Sequence, residues 1–475
     1  MITSPTPLDY FRELSQIPRV SGNEKAAADY VEGIARTHGC TVYRDAMDNL
    51  IVKKPASPGK EKAPAFMLQG HLDMVGQADA GVHHDFATDP IALVETDGIL
   101  RAKGTTLGAD DGIAVALMLS ILSDDTLVHP ALECVFTVQE ETGLYGVLAL
   151  DKTLLNARYL LNLDAGPEGI FVASCAGGCR VRMTRPITWE ETDMPMWQIE
   201  ISGLEGGHSG GAISRQGGNA LVIAGVLLNT LLPSGGRVGR VSGGEKDNVI
   251  PNRAELEFAF LSDPSSLLEP VIRQIQDSWR ETDPNLQISC KPLRSGKVLS
   301  AGDGRALAEL LQLLPHGVLR CSSQTPGLPE TSANLAAVKT GEQLELQMSI
   351  RSSVDFQKEL VMQKIRVLAN LYGARCTFDG VYPGWSFTPQ SRLRTLAERA
   401  FQTVYGYSPQ IQGIHAGLEC GVLKEAIPDL DIIATGPKYG AMHTTAELMD
   451  IAIITRIHDF IKELLRIFSE ETVER

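Results

Sequence analysis

Five residues of this 475-residue chain, His71, Asp110, Glu141, Asp164 and His443, are of types that bind borderline divalent metals, and a further carboxylate, Glu140, stands directly beside one of them. Two imidazoles and three carboxylates suffice for a pair of sites in which each ion takes one histidine, one terminal carboxylate and a share of a bridging carboxylate. Two such ions, about 3.5 to 4 Å apart, hold a water between them and bring its pKa toward neutrality, which makes it a nucleophile. The adjacent pair Glu140-Glu141 supplies both remaining needs. Glu141 is expected to be a ligand, and Glu140 the general base that carries a proton from water to the leaving amine. Asp73, two residues after His71, is placed to accept the second imidazole N–H and fix the tautomer.

The elements around these residues explain how positions far apart in sequence could meet. Three apolar runs read as strands: Phe66 to Gln69 ends at Gly70-His71, Leu132 to Gln139 ends at Glu140-Glu141, and Tyr159 to Leu163 ends at Asp164. A single acid or imidazole at a strand end is ordinarily a capping or solvated group. Three in succession fit the rule that open α/β sheets bind ligands at the carboxyl ends of their strands. Between them, Gly112 to Leu122 reads as a helix with Asp110-Asp111 just before its start, where the helix dipole favours a carboxylate. Thr6 and Pro7 are a cap and first turn for an amino-terminal helix.

The alternation of strands and helices predicts an α/β catalytic domain with a largely parallel central sheet flanked by helices. Near Pro186 the pattern changes to longer strands, and it reverts near Pro383 to Pro389. Residues 1–186 and 385–475 are therefore expected to form the catalytic domain, and 187–384 an inserted α+β lid. Two stretches of the insert, Leu256 to Phe260 followed by a helix through Leu268 to Trp279, and Leu344 to Ile350 followed by a helix through Leu360 to Leu371, are alike enough to suggest a duplicated unit.

A hydrophobic content of 43% is ample for two cores, and a formal net charge of -15 disfavours nucleic acid and anionic membrane as partners. The amino terminus carries no basic segment leading into an apolar core, and no apolar run approaches the ~18 residues of a membrane span. The eight cysteines are scattered as reduced thiols usually are, so a cytoplasmic location is expected. Gly206-Gly207 and Gly243-Gly244 lack the strand, helix and lysine context of a phosphate loop.

Together His71-Leu72-Asp73-Met74-Val75, Gly108-Ala109-Asp110-Asp111-Gly112, Gln139-Glu140-Glu141-Thr142-Gly143, Asn162-Leu163-Asp164, Gly206-Gly207-His208-Ser209-Gly210, Arg351-Ser352-Ser353-Val354-Asp355 and His415 to Gly421 resemble the aminoacyl-histidine dipeptidases of the aminoacylase and carnosinase superfamily. The resemblance implies two zinc ions per subunit, with manganese or cobalt able to substitute. His71, Asp110 and Asp164 would hold one and Asp110, Glu141 and His443 the other, with Asp110 bridging. It also implies that Asp73 orients His71 and that Glu140 is the base. In the lid, His208 and Asn248 would polarise the scissile carbonyl, Arg351 would hold the substrate carboxylate, and the backbone at Gly417 would touch the substrate. The expected activity is hydrolysis of dipeptides, Xaa-His and β-alanyl-histidine types included, by a monomer or homodimer. The alternatives on the same scaffold are an N-acyl amino-acid deacylase or a tripeptidase, and outside catalysis a metal- and peptide-binding protein. Ala212, Gln216-Gly217 and the residues following Asp164 and His443 depart from the family pattern and bear on substrate choice.

Overall fold

The computed structural model describes residues 5–437 and 439–471. Met1–Ser4, part of the stretch read above for export signals, lies outside them. The chain divides into two compact units. The first comprises residues 1–174, 387–413 and 418–475, and the second residues 175–386 and 414–417.

The first unit is built on an eight-stranded sheet. Its order is Thr41–Arg44, Leu50–Lys54, Leu132–Thr137, Phe66–His71, Tyr159–Asn162, Asp431–Ala434, Ile170–Val172 and Gln410–Gln412. The central strands run parallel: Phe66–His71 pairs in parallel with both Leu132–Thr137 and Tyr159–Asn162, and Asp431–Ala434 continues the parallel set. Antiparallel pairing is found at the Thr41–Arg44 edge. Phe66–His71 and Leu132–Thr137 are buried along their whole length, as strands covered on both faces must be.

Helix Ala109–Ser123 is buried at every position, and Asp110 and Asp111 depart from helical φ/ψ, so regular helix begins at Gly112. Thr6 caps helix Pro7–Leu14 through a capping box with Asp9. The last helix runs Ile451–Phe468. Leu448–Asp450 pairs with Ile99–Ala102, and the Asp450 side chain accepts from Ala452 N–H at 2.8 Å to start the helix. Among the described residues, no helix is long and apolar enough to cross a membrane.

The second unit is an antiparallel sheet with helices, and it repeats one plan twice. Met196–Ser202, Ala220–Leu231, Arg237–Gly243, Ala254–Ala259, Ser265–Ser278 and Gln287–Leu293 follow one another as strand, helix, strand, strand, helix, strand. Gly177–Pro186, Ala301–Leu313, Pro329–Thr340, Gln343–Ser352, Asp355–Leu371 and Arg375–Tyr382 do the same. In both, the strands lie in the order fourth, first, third, second, and the second strands join the halves through Ser242↔Lys339 and Gly243↔Val338. One repeat is thus inserted into the other after its first strand. That strand, Gly177–Pro186, precedes the point where the sequence pattern changes, yet it pairs with Gln343–Ser352 and Arg375–Tyr382. The second unit therefore starts at Cys175, not after Pro186.

Candidate metal centre

Parallel pairing sets the carboxyl ends of three adjacent strands at one sheet edge. His71 closes the first of them and Asp164 lies two residues beyond the third. The strand Leu132–Thr137, beside Phe66–His71, ends at Thr137, and Gln139 turns at φ 52°, bringing round Glu140 and Glu141. Gly70 is required before His71, because a Cβ there would come within 2.5 Å of Asp111 Oδ2. That same oxygen accepts the His71 N–H at 3.1 Å.

Asp110 stands between two imidazoles. Its Oδ1 lies 3.3 Å from His71 Nε2 and its Oδ2 3.1 Å from His443 Nε2. Asp164 Oδ1 completes the first group at 4.0 Å from His71 Nε2, and Glu141 Oε1 the second at 2.8 Å from His443 Nε2. His71, Asp110 and Asp164 thus offer ligand atoms within 4.8 Å of one another, as do Asp110, Glu141 and His443; Glu140 clusters likewise with His71 and Glu141. Two of these atoms, Asp110 Oδ1 and Glu141 Oε1, are buried with no hydrogen-bond partner beyond the imidazole nitrogens just named. Buried carboxylate oxygens require a donor or a cation, so the set fits a pair of divalent ions.

The charges reinforce this fit. Hydrogen bonds donated to Asp110 and then to Glu141 raise the pKa of the His443 imidazole to about 10. Burial depresses His71, but Asp110 and Asp73 outweigh it and hold its imidazole well above the usual range. Burial pushes Asp164 and Glu140 well above the ordinary carboxylate range. Imidazolium supplies positive charge to these carboxylates, and cations would take over that role.

Asp73 links the pieces. Its Oδ1 lies 3.3 Å from His71 Nδ1 and accepts Glu140 N–H at 3.1 Å, while its Oδ2 accepts Glu141 N–H at 3.2 Å and the Ser21 hydroxyl at 2.7 Å. Sequence reasoning missed two further supports. Glu447 accepts from the backbone N–H groups of Leu107, Gly108, Ala109 and Asp110 at 2.8 to 3.4 Å, tying the loop of His443 to the segment of Asp110. Its signal was its spacing, four residues after His443. Arg19 is wholly buried and donates to the carbonyls of Leu72, Asp73 and Gly108; nothing around it in sequence marks it.

The remaining expected site residues belong to the second unit. His208 and Asn248 are brought together because Gly207–His208 pairs with Val249–Ile250, and Asn248 O accepts the Ser209 N–H at 2.8 Å. Arg351 Nη2 lies 3.5 Å from His208 Nε2. Burial, with Arg351 adding to it, keeps that imidazole below its usual pKa. Gly417 packs against Tyr382, whose ring a Cβ would meet at 2.9 Å. His83-His84 forms no metal-binding group and no disulfide links any of the cysteines among the described residues.

The sequence pattern of peptidase family M20/M25/M40 matches residues 67–467, a span that holds all five expected metal ligands. The chain belongs to the M20/M25/M40 peptidase family. As a member it is a metal-dependent peptide hydrolase. It is 34% identical to the cytosol non-specific dipeptidase of Escherichia coli (strain K12), over 98% of each protein. The crystal structure of an aminoacylhistidine dipeptidase from Vibrio alginolyticus matches with a TM-score of 0.91 and 32% identity, covering 98% of this chain and 97% of that one. An aminopeptidase from Bacillus cereus shares the M20 fold at a TM-score of 0.58 and 17% identity, over 99% and 100% of the two chains.

Proposed function

We propose that this M20 peptidase is a cytoplasmic dipeptidase working with two zinc ions, His71, Asp110 and Asp164 holding one and Asp110, Glu141 and His443 the other. The observation that carries the reading is the placement of Asp110, one oxygen toward each imidazole. The dipeptide substrate is supported by similarity along 98% of the chain to the Escherichia coli cytosol non-specific dipeptidase and the Vibrio alginolyticus aminoacylhistidine dipeptidase.

When bound, the ions supply the Lewis acidity that makes water nucleophilic near neutral pH and polarises the scissile carbonyl. Glu140 removes the proton from the attacking water and returns it to the leaving amine. Asp73 holds the His71 ring on one side and the backbone of Glu140 and Glu141 on the other, so base and ligands keep one geometry. From the second unit, His208 and Asn248 stabilise charge on the carbonyl oxygen, the Arg351 guanidinium pairs with the substrate carboxylate, and the Gly417 backbone lines the place of the substrate.

The test is hydrolysis of β-alanyl-histidine, glycyl-histidine, alanyl-alanine, a carboxyl-amidated dipeptide, a tripeptide and an acetylated amino acid by zinc-, manganese- and cobalt-loaded protein. Cleavage confined to dipeptides with a free carboxylate is expected. Preferential cleavage of the acetylated amino acid or the tripeptide would overturn the dipeptidase assignment in favour of a deacylase or tripeptidase.

A further inference from the structure

One layer below the metal centre, the sheet interior is polar where apolar packing would be cheaper. Gln69, Thr137 and Asn162, from the three adjacent strands that lead to His71, Glu140-Glu141 and Asp164, are all fully buried. Gln69 lies two residues before His71 and Asn162 two before Asp164, so the pleat sets each on the same side of its strand as the group it precedes. Gln69 and Asn162 are direct partners in the sheet, as are His71 and Thr137. Asn162 Nδ2 donates to Gln69 Oε1 at 2.6 Å, and Asn162 Oδ1 accepts the Asp164 N–H at 3.2 Å.

These side chains converge on Glu419, which begins helix Cys420–Ala426 and has no exposed surface. Its Oε2 accepts from the Thr137 hydroxyl at 2.6 Å and also from Gln69 Nε2. Its Oε1 is buried with no hydrogen-bond partner. Burying a carboxylate with incomplete hydrogen bonding is unfavourable, and an apolar side chain would fill the same space without that cost.

We infer that Glu419 is a positioning residue of the metal centre: through Thr137 and Gln69, and through Gln69 to Asn162, it locks together the three strand ends that present His71, Glu140-Glu141 and Asp164. The inference rests on the ligand assignment made above. Its consequence is that metal affinity depends on a residue that is itself no ligand.

The experiment is a zinc and cobalt competition titration against a chromophoric chelator, with the visible absorption of the cobalt-loaded protein and the melting temperature of the metal-free protein measured alongside. Glu419→Ala should weaken metal binding by about 10- to 100-fold and alter the cobalt absorption, since removing partners that orient ligands has effects of that order. Glu419→Gln keeps an acceptor of the same shape for Thr137 and Gln69 and should restore much of the loss. Affinities within roughly twofold of the unaltered protein for both variants, below the range such partners show, would overturn the proposal whatever happens to melting. Should Glu419→Ala fail to fold, Thr137→Val removes one bond to Glu419 at constant shape. Weakened metal binding in Thr137→Val then supports the proposal and unchanged binding rejects it. His71→Ala separates the two levels: if it retains full metal affinity the ligand assignment fails, and if it loses metal while the Glu419 variants bind normally only the role of Glu419 fails.

Discussion

His443 Nε2 lies 3.1 Å from Asp110 Oδ2 although 333 positions separate the two residues, and the other oxygen of the same carboxylate faces His71. One side chain therefore belongs to two groups of candidate ligands. Asp110→Ala should abolish binding of both ions, whereas His443→Ala should leave a protein that still takes up one. Metal content after dialysis, measured by atomic emission, distinguishes these outcomes; equal loss in both variants would contradict a bridging Asp110.

Glu140 is grouped with His71 and Glu141 but is absent from both groups that contain Asp110. If it moves the proton and does not hold metal, Glu140→Gln should lower kcat by about 10²- to 10⁴-fold, the usual contribution of a general base. Metal content should stay at that of the unaltered protein. A variant that loses metal in parallel with activity would make Glu140 a ligand.

Arg351 bears on substrate choice. A charge-assisted hydrogen bond to a carboxylate is worth about 1.5 to 3 kcal/mol, so Arg351→Ala should weaken kcat/KM for free dipeptides by roughly 10- to 100-fold. Whatever residual cleavage a carboxyl-amidated dipeptide shows should change little. Steady-state kinetics on the two substrates checks this, and equal losses on both would remove Arg351 from carboxylate recognition.

Glu447 is 2% exposed, and its carboxylate serves four consecutive N–H groups. Glu447→Ala leaves these donors buried without partners, at about 1 to 3 kcal/mol for each that water cannot reach. Thermal and urea unfolding should show a loss of at least about 2 kcal/mol, larger than for a typical surface substitution.

His316 gives the second unit a sensitivity to acid. Its Nδ1 faces the Leu335 N–H and Asn219 Nδ2, both at 3.4 Å, and burial lowers its pKa to about 4. An unfolded histidine titrates near 6.5, so as pH falls from there toward 4 the unfolded chain binds a proton that the folded one excludes. The stability present above pH ~6.5 is lost progressively over that window, by at most about 3 kcal/mol. His316→Asn should flatten this part of the stability profile, as followed by urea unfolding at pH 7, 6, 5 and 4.5.

The grouped candidate ligands were legible because their residue types stand in short motifs. Strands buried on both faces are mostly apolar, and His71 at the end of one and Asp164 two residues beyond another stand out against those runs. The duplicated plan of the second unit was visible in part, since Leu256 to Phe260 and Leu344 to Ile350 prove to be matching third strands followed by matching helices. Its start was not, because Gly177–Pro186 joins partners more than a hundred residues away, and nothing inside a strand announces which sheet will accept it.

Sequence by itself determined the residue types able to bind metal and move a proton, the parallel α/β character of the catalytic unit, and the family. Tertiary structure alone decided that Asp110 turns one oxygen toward each histidine, that Glu447 accepts its backbone N–H while Arg19 donates to the Gly108 carbonyl, and that Glu419 sits beneath the candidate ligands among Gln69 and Thr137. The physical reason is one of range. Strand period, turn chemistry and ligand type are written within a few neighbouring residues, whereas a buried charge is tolerated only for its partners, and those are chosen when distant segments pack.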